Sequence, residues 1–162
     1  MWTRWYSPKI VDQIESDEIA YSGSLLYDVA ANFTSLAPVA SVAQSRGGVV
    51  QTGVKSLVFR DFGINEAGTV VAVEFMLSVS RLARIQDRTV KLWQAEAVGR
   101  NRANPQAEDV TVYSGDLAWW QVDTVDHQNP NFGILLDLQP HSQYPSRDSV
   151  YIREVKIRVN VA

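Results

Sequence analysis

The chain has 162 residues, 46% hydrophobic and 20% charged, with a formal net charge of -3. That apolar share supports one domain with a real core. The slight acidic surplus opposes a nucleic-acid surface, which needs clustered Lys and Arg against phosphates. With no cysteine, disulfides, thiolate-held metals and a cysteine nucleophile are all excluded.

The first eight residues lack the charged start and apolar stretch of a secretory signal. No apolar run approaches the roughly 20 residues of a membrane span. The expectation is a soluble domain made in the cytoplasm. Residues 1–20 form an irregular arm or edge segment, and residues 21–162 form the main domain.

The arm opens with Trp2, Trp5 and Tyr6, followed by Ser7-Pro8. Chain ends tend to fray, and a frayed end should be polar, so three large aromatics there need a partner. One reading folds the rings back over an open edge of the same domain. The other makes them an anchor in a groove of a neighbouring subunit.

Residues 21–56 read as loop and edge strand. A short helix over residues 25–33 fits the composition, while Pro38 and the β-branched residues oppose a long one. Arg46-Gly47-Gly48 turns toward a short strand at residues 49–53.

Residues 57–93 hold the clearest patterning. Leu57-Val58-Phe59 is one strand, and Phe62-Gly63 and residues 65–68 supply a bend and a turn. Val71, Val73, Phe75, Leu77 and Val79 then alternate with Ala72, Glu74, Met76 and Ser78. A period of two places the two sets on opposite faces, so this is a half-buried strand. Residues 81–88 are polar and basic and are expected to end the pairing, before Val90-Lys91-Leu92-Trp93 starts another strand.

Residues 95–105 read as a loop, Val110 to Tyr113 as a strand, and Phe132-Gly133 as the lead into Ile134, Leu136 and Leu138 on one face. Residues 140–148 form a polar loop. The last segment alternates Val155, Ile157, Val159 and Val161 against Glu154, Lys156, Arg158 and Asn160. Short strands at this spacing, without a long helix, predict an all-β fold: a single antiparallel, jelly-roll-like β-sandwich with an irregular N-terminal arm.

Several landmarks recur in a particular order. They are Phe62-Gly63, Asp87 before Val90 and Leu92, Gly99-Arg100-Asn101-Arg102-Ala103, and Tyr113-Ser114-Gly115 before Trp120. Phe132-Gly133 and Tyr151-Ile152-Arg153-Glu154-Val155 complete the set. In this order and spacing, residues 57–161 resemble the β-sandwich module of tailed-bacteriophage virion structural proteins.

The resemblance implies a non-enzymatic virion component, a decoration or adaptor subunit docking onto capsid, collar or tail. It also implies a homo-oligomer within the virion, assembled in the host bacterial cytoplasm, with other virion proteins as partners. Charge and hydropathy, independently, lead to no expected nucleic acid or membrane partner, and no cofactor is expected. The alternative is a carbohydrate-binding module for host-surface glycan.

The candidate contact residues follow from the side chains themselves. Trp2, Trp5 and Tyr6 are candidates for a subunit interface, as are Arg81, Arg84, Arg88, Arg100 and Arg102 around one strand end and its loop. Arg pairs carboxylates through a planar fork and is favoured at interfaces. The alternative is a solvated rim paired in part by Asp87 and Glu96. Trp119-Trp120, read on alternating faces, places one ring in the core and leaves the other as a glycan-stacking platform.

No catalytic site, metal site or cofactor site is expected. Asp123, Asp126 and His127 lie within five residues, but no second cluster completes a ligand set, and His141 stands alone. Asp116, Asp123, Asp126 and Asp137 are candidates for the facing carboxylate pair that glycoside hydrolysis needs, but sequence alone does not say which of them, if any, face each other. Ser114-Gly115 and Ser22-Gly23-Ser24 lack the Gly-x-Ser-x-Gly elbow.

Overall fold

The computed structural model describes residues 1–15, 25–29, 40–44, 55–79, 85–106, 108–140 and 150–162. Two antiparallel sheets of five strands each face one another. The expected strand at residues 49–53 lies outside the described residues.

The first sheet runs β1 (Ile10–Glu15), β4 (Lys55–Arg60), β9 (Phe132–Pro140), β6 (Ile85–Gln94) and β7 (Ala97–Val98). The second runs β2 (Leu25–Val29), β3 (Ala40–Gln44), β10 (Val150–Val161), β5 (Val70–Val79) and β8 (Val110–Asp116). Leaving β1 and β2 aside, β3 pairs with β10, β4 with β9, β5 with β8 and β6 with β7. A strand ribbon is thus folded back on its return half and rolled so that successive strands change sheets. That is jelly-roll connectivity.

This topology separates neighbours in sequence. β5 hydrogen-bonds β10 and β8, while β4 and β6, which flank it in the chain, sit in the opposite sheet. Alternation supplies the core: Val73, Phe75, Leu77 and Val79 of β5 meet Leu57 and Phe59 of β4 and Leu92 of β6 in one buried cluster. At the start of β5 the alternation slips. Asn160 pairs with Ala72 and Val161 with Val70, so Val71 is the extra residue of a bulge, 42% exposed, and Val70 takes the inward place.

Three expectations are corrected. Leu25–Val29 is a strand rather than part of a helix, because it pairs along its length with Ala40–Gln44. The basic stretch does not end the pairing up to residue 88. β6 begins at Ile85, and Arg88 is the inserted residue of a bulge between Asp87 and Thr89. Trp119 and Trp120, read on alternating faces, instead lie in a single helical turn, α1 (Leu117–Trp120). Asp116 caps it, accepting from the Trp119 N–H, and Gln121 ends it in the left-handed region.

The N-terminal segment belongs to both sheets. Residues 1–6 run along β10 beyond the point where β3 stops, with Trp2 bridged to Asn160 and Tyr6 to Ile157. The chain then crosses at Ser7-Pro8-Lys9, and β1 pairs with β4 in the opposite sheet.

Candidate interaction surface

Residues 1–6 are held by backbone bonds to β10: Val161 N–H to Met1 O at 2.9 Å, Thr3 N–H to Val159 O at 2.8 Å, and Tyr6 N–H to Ile157 O at 2.8 Å. The Tyr6 ring is buried. Its hydroxyl lies between two acceptors, Asn65 Oδ1 at 2.8 Å and the Glu66 carboxylate. That hydroxyl holds the Glu66 carboxyl below its usual value, and the positive charge of Arg4 lowers it further.

Trp2 and Trp5 are half-buried. The Arg158 guanidinium lies over both rings, 4.9 Å from the Trp2 centroid and 4.6 Å from that of Trp5. Its Nε also meets Glu74 Oε2 at 2.6 Å. A planar cation can stack on indole faces and bond a carboxylate through its edge at once. The arm therefore folds back over the edge of its own domain, and Trp2 and Trp5 keep part of their surface on the outside.

Among the described residues, Arg88, Arg100 and Arg102 have separate surroundings. Arg81 and Arg84 lie outside the described residues. Arg88, read as a rim residue, instead turns to Asp137 of β9, with Nη2 to Oδ2 at 3.4 Å, because the bulge re-aims it along the sheet. Asp87 accepts from the Tyr113 hydroxyl. Arg102 lies over the Trp119 ring at 4.4 Å and donates from Nε to the Trp119 carbonyl at 2.7 Å. Arg100 is exposed.

The two tryptophans divide sharply. Trp120 is 0% exposed and donates its indole N–H to Val73 O at 3.1 Å, so it offers no face to a sugar. The helical turn, rather than strand alternation, produces this. Trp119 is half-buried, edge-on to Trp120 with centroids 4.9 Å apart, and its ring is taken by Arg102. It also fills the space where a side chain at Gly115 would stand, since a Cβ there would lie 2.4 Å from the ring.

The landmark residues between 87 and 120 assemble into one connected structure. Asn101 Oδ1 accepts from the Val90 and Ala103 N–H groups, each at 2.9 Å, and Asn101 Nδ2 donates to Arg88 O at 2.9 Å. Its loop is thereby sewn to β6. Gly99 has φ +76°, and a Cβ there would meet the Trp120 carbonyl oxygen at 2.2 Å. The Asn104 N–H donates to the Tyr113 hydroxyl at 3.0 Å, and that hydroxyl donates to Asp87. At Gly133 a Cβ would lie 1.8 Å from the Phe59 carbonyl oxygen.

His127, Asp116 and Asp137 are committed to the fold. His127 is buried, with Nε2 2.6 Å from Glu66 O. Asp116 caps α1 and Asp137 meets Arg88. Asp123, Asp126 and His127 line a surface groove of about 350 Å³ with Thr69 and Gln128. Among the described residues no three His, Asp or Glu side chains are grouped to hold a metal ion. His141 lies outside them.

Sequence reasoning missed Arg158 and Glu74 as the partners of the arm. Each stands at an outward position of an alternating strand, and only the register of β10 on β5 pairs them. Compared with protein-family models, curated proteins and solved structures, the chain matches none.

Proposed function

We propose that this protein is a non-enzymatic structural component of a bacteriophage virion, a decoration or adaptor subunit that docks onto capsid, collar or tail. One observation carries the reading. Landmarks of the resemblance between residues 87 and 120 meet one another, with Gly99 against Trp120, Asn101 on β6 and Tyr113 on Asp87, and Gly133 lies close against the Phe59 backbone of the neighbouring strand. They act as fold determinants of a jelly roll, which is what a module reused for its shape requires. The buried polar groups Asp87, Asp137 and His127 hold strands and loops together.

Function then rests on surfaces and on repetition. A rigid sandwich presents loops and strand edges to neighbours, and many weak contacts on one particle gain from multivalency. The glycan alternative would have to use Trp119 alone, since Trp120 is buried, and Arg102 already lies over the Trp119 ring.

The test is mass spectrometry of gradient-purified particles from a lysate that contains the protein. The expected result is co-sedimentation with particles at a constant ratio to the major capsid protein. Finding it in the lysate but not in the particles overturns the proposal.

A further inference from the structure

Charge is unevenly spread along the chain. Residues 61–80 and 103–146 together carry nine Asp and Glu and no Lys or Arg. The groove of about 350 Å³ is built wholly from these two stretches, with residues 68–70 of the first and residues 117 and 123–128 of the second. Its lining therefore holds no Lys or Arg. Val70, Leu117 and Val125 supply the apolar part of that lining.

The polar groups beside them are acceptors. The carboxylates of Asp123 and Asp126 are exposed, and among the described residues neither meets a hydrogen-bond donor or a cation. That sets them apart from Asp116, which caps α1, and from Asp137, which meets Arg88. His127 is 6% exposed and directs Nε2 to Glu66 O. A carbonyl oxygen only accepts, so Nε2 holds the hydrogen and Nδ1 is the acceptor of the neutral ring. Among the described residues Nδ1 has no bond. Gln128 likewise directs Nε2 to Asn65 O at 3.3 Å, which leaves its Oε1. Apart from the hydroxyls of Thr69 and Thr124, the side chains of the groove offer a visitor acceptors and apolar surface.

We infer that this groove binds an arginine side chain presented by a partner protein. A cleft lined by one sign of charge concentrates the opposite sign. A metal ion is the poorer occupant, because no three His, Asp or Glu side chains among the described residues are grouped around one point. A guanidinium spreads five donors over a planar fork and reaches separated acceptors, while its alkyl stem lies along Val70, Leu117 and Val125. A lysine ammonium gathers its three donors at one point. Sites for free small molecules bury most of the ligand, whereas both carboxylates here are exposed; a partner protein covers the rest with its own surface. A second copy has little to offer, since Arg4, Arg60, Arg88, Arg102 and Arg158 each hold a ring or a carboxylate within their own chain. The inference does not rest on the virion reading.

The experiment titrates the full chain with three capped peptides, Gly-Gly-Arg-Gly-Gly and its counterparts with citrulline or lysine at the centre, and follows amide shifts by NMR. Citrulline keeps the shape of arginine and removes the charge. The arginine peptide is expected to give saturating shifts confined to residues 68–70 and 117–128, with a Kd on the order of millimolar. The lysine peptide binds more weakly and the citrulline peptide does not bind. Asp123→Asn combined with Asp126→Asn weakens the arginine peptide about fivefold or more. It does not lower the melting temperature, because neither carboxylate has a partner in the fold.

Equal shifts from the lysine or citrulline peptide overturn the inference, as does the absence of shifts confined to the groove. Unaltered binding by the doubly substituted chain overturns it too. Tighter binding of calcium than of the peptide would assign the groove to a metal ion, and tighter binding of butylguanidinium would assign it to a free small cation. A dimer of the free chain that the double substitution dissociates would assign it to a second copy. Each of these three results also overturns it.

Discussion

The hydroxyl of Tyr113 donates to the carboxylate of Asp87 across the interior of the sandwich, joining β8 of one sheet to β6 of the other. Hydrogen bonds to charged acceptors contribute more than neutral ones, and a buried group deprived of its partner pays the desolvation in full. The same hydroxyl accepts from the Asn104 N–H, so it also pins the loop before β8.

Tyr113→Phe is expected to cost about 1–3 kcal/mol. A cycle with Asp87→Asn separates the pairwise part from the individual losses. Chemical denaturation of the two single variants and the double variant measures it. Additive losses would show that the bond across the sheets contributes no coupling of its own.

The strands that the sequence made readable are those with one face in the core. β5 and β10 announce themselves by alternation, and Val73, Phe75, Leu77, Val155, Ile157 and Val159 are buried as that pattern requires. What stayed hidden depends on register or on single residues. The slip that exchanges Val71 for Val70 and the bulge that re-aims Arg88 each involve one inserted residue, too little to disturb a period of two. The split of Trp120 inside and Trp119 partly outside is legible, but the helical turn that produces it is not, because four residues show no helical period and only the Asp116 cap signals it. The pairing of Arg158 with Glu74 joins residues 84 apart in the chain, so no local pattern encodes it.

Arg158 carries more than its charge. Its guanidinium stacks on Trp2 and Trp5 and bonds Glu74, whose side chain is 13% exposed. Cation–π contacts contribute about 0.5–2 kcal/mol, and partly exposed ion pairs about 0–1 kcal/mol. Arg158→Ala should therefore cost about 1–3 kcal/mol and shift tryptophan emission as Trp2 and Trp5 become more solvated. Arg158→Lys keeps the charge but not the planar fork, and should fall between the two. Thermal melting with fluorescence detection checks both; equal stability of all three forms would refute the stacking role.

The Glu66 carboxyl gives the fold an acid-side dependence on pH. In the folded chain its pKa lies below the ordinary 4.5, first through the Tyr6 hydroxyl. The unfolded chain therefore binds this proton more readily. The stabilisation is fully present above the ordinary value and is lost as pH falls through the folded one. Melting temperature should drop between about pH 5 and pH 3, less steeply for Glu66→Gln and for Tyr6→Phe than for the unaltered chain. Parallel curves for all three would remove Glu66 as a contributor.

Two glycines separate a tight backbone crossing from an adaptable one. At Gly133 a Cβ would sit 1.8 Å from the carbonyl oxygen and 2.8 Å from the carbonyl carbon of Phe59, both backbone atoms of the paired strand. No rotamer change relieves that clash, so β4 and β9 must separate between two buried layers. At Gly115 the obstacle is the half-buried ring of Trp119, which can move outward if Arg102 yields. Overpacking a core costs about 1–3 kcal/mol, and more where the backbone cannot relax. Gly133→Ala should reach or exceed the top of that range and reduce soluble yield. Gly115→Ala should stay in the lower half, with a marked change in tryptophan fluorescence as the Trp119 ring leaves Trp120. Denaturant unfolding of the two variants, read by both circular dichroism and emission, decides the order; a milder effect at Gly133 than at Gly115 would contradict it.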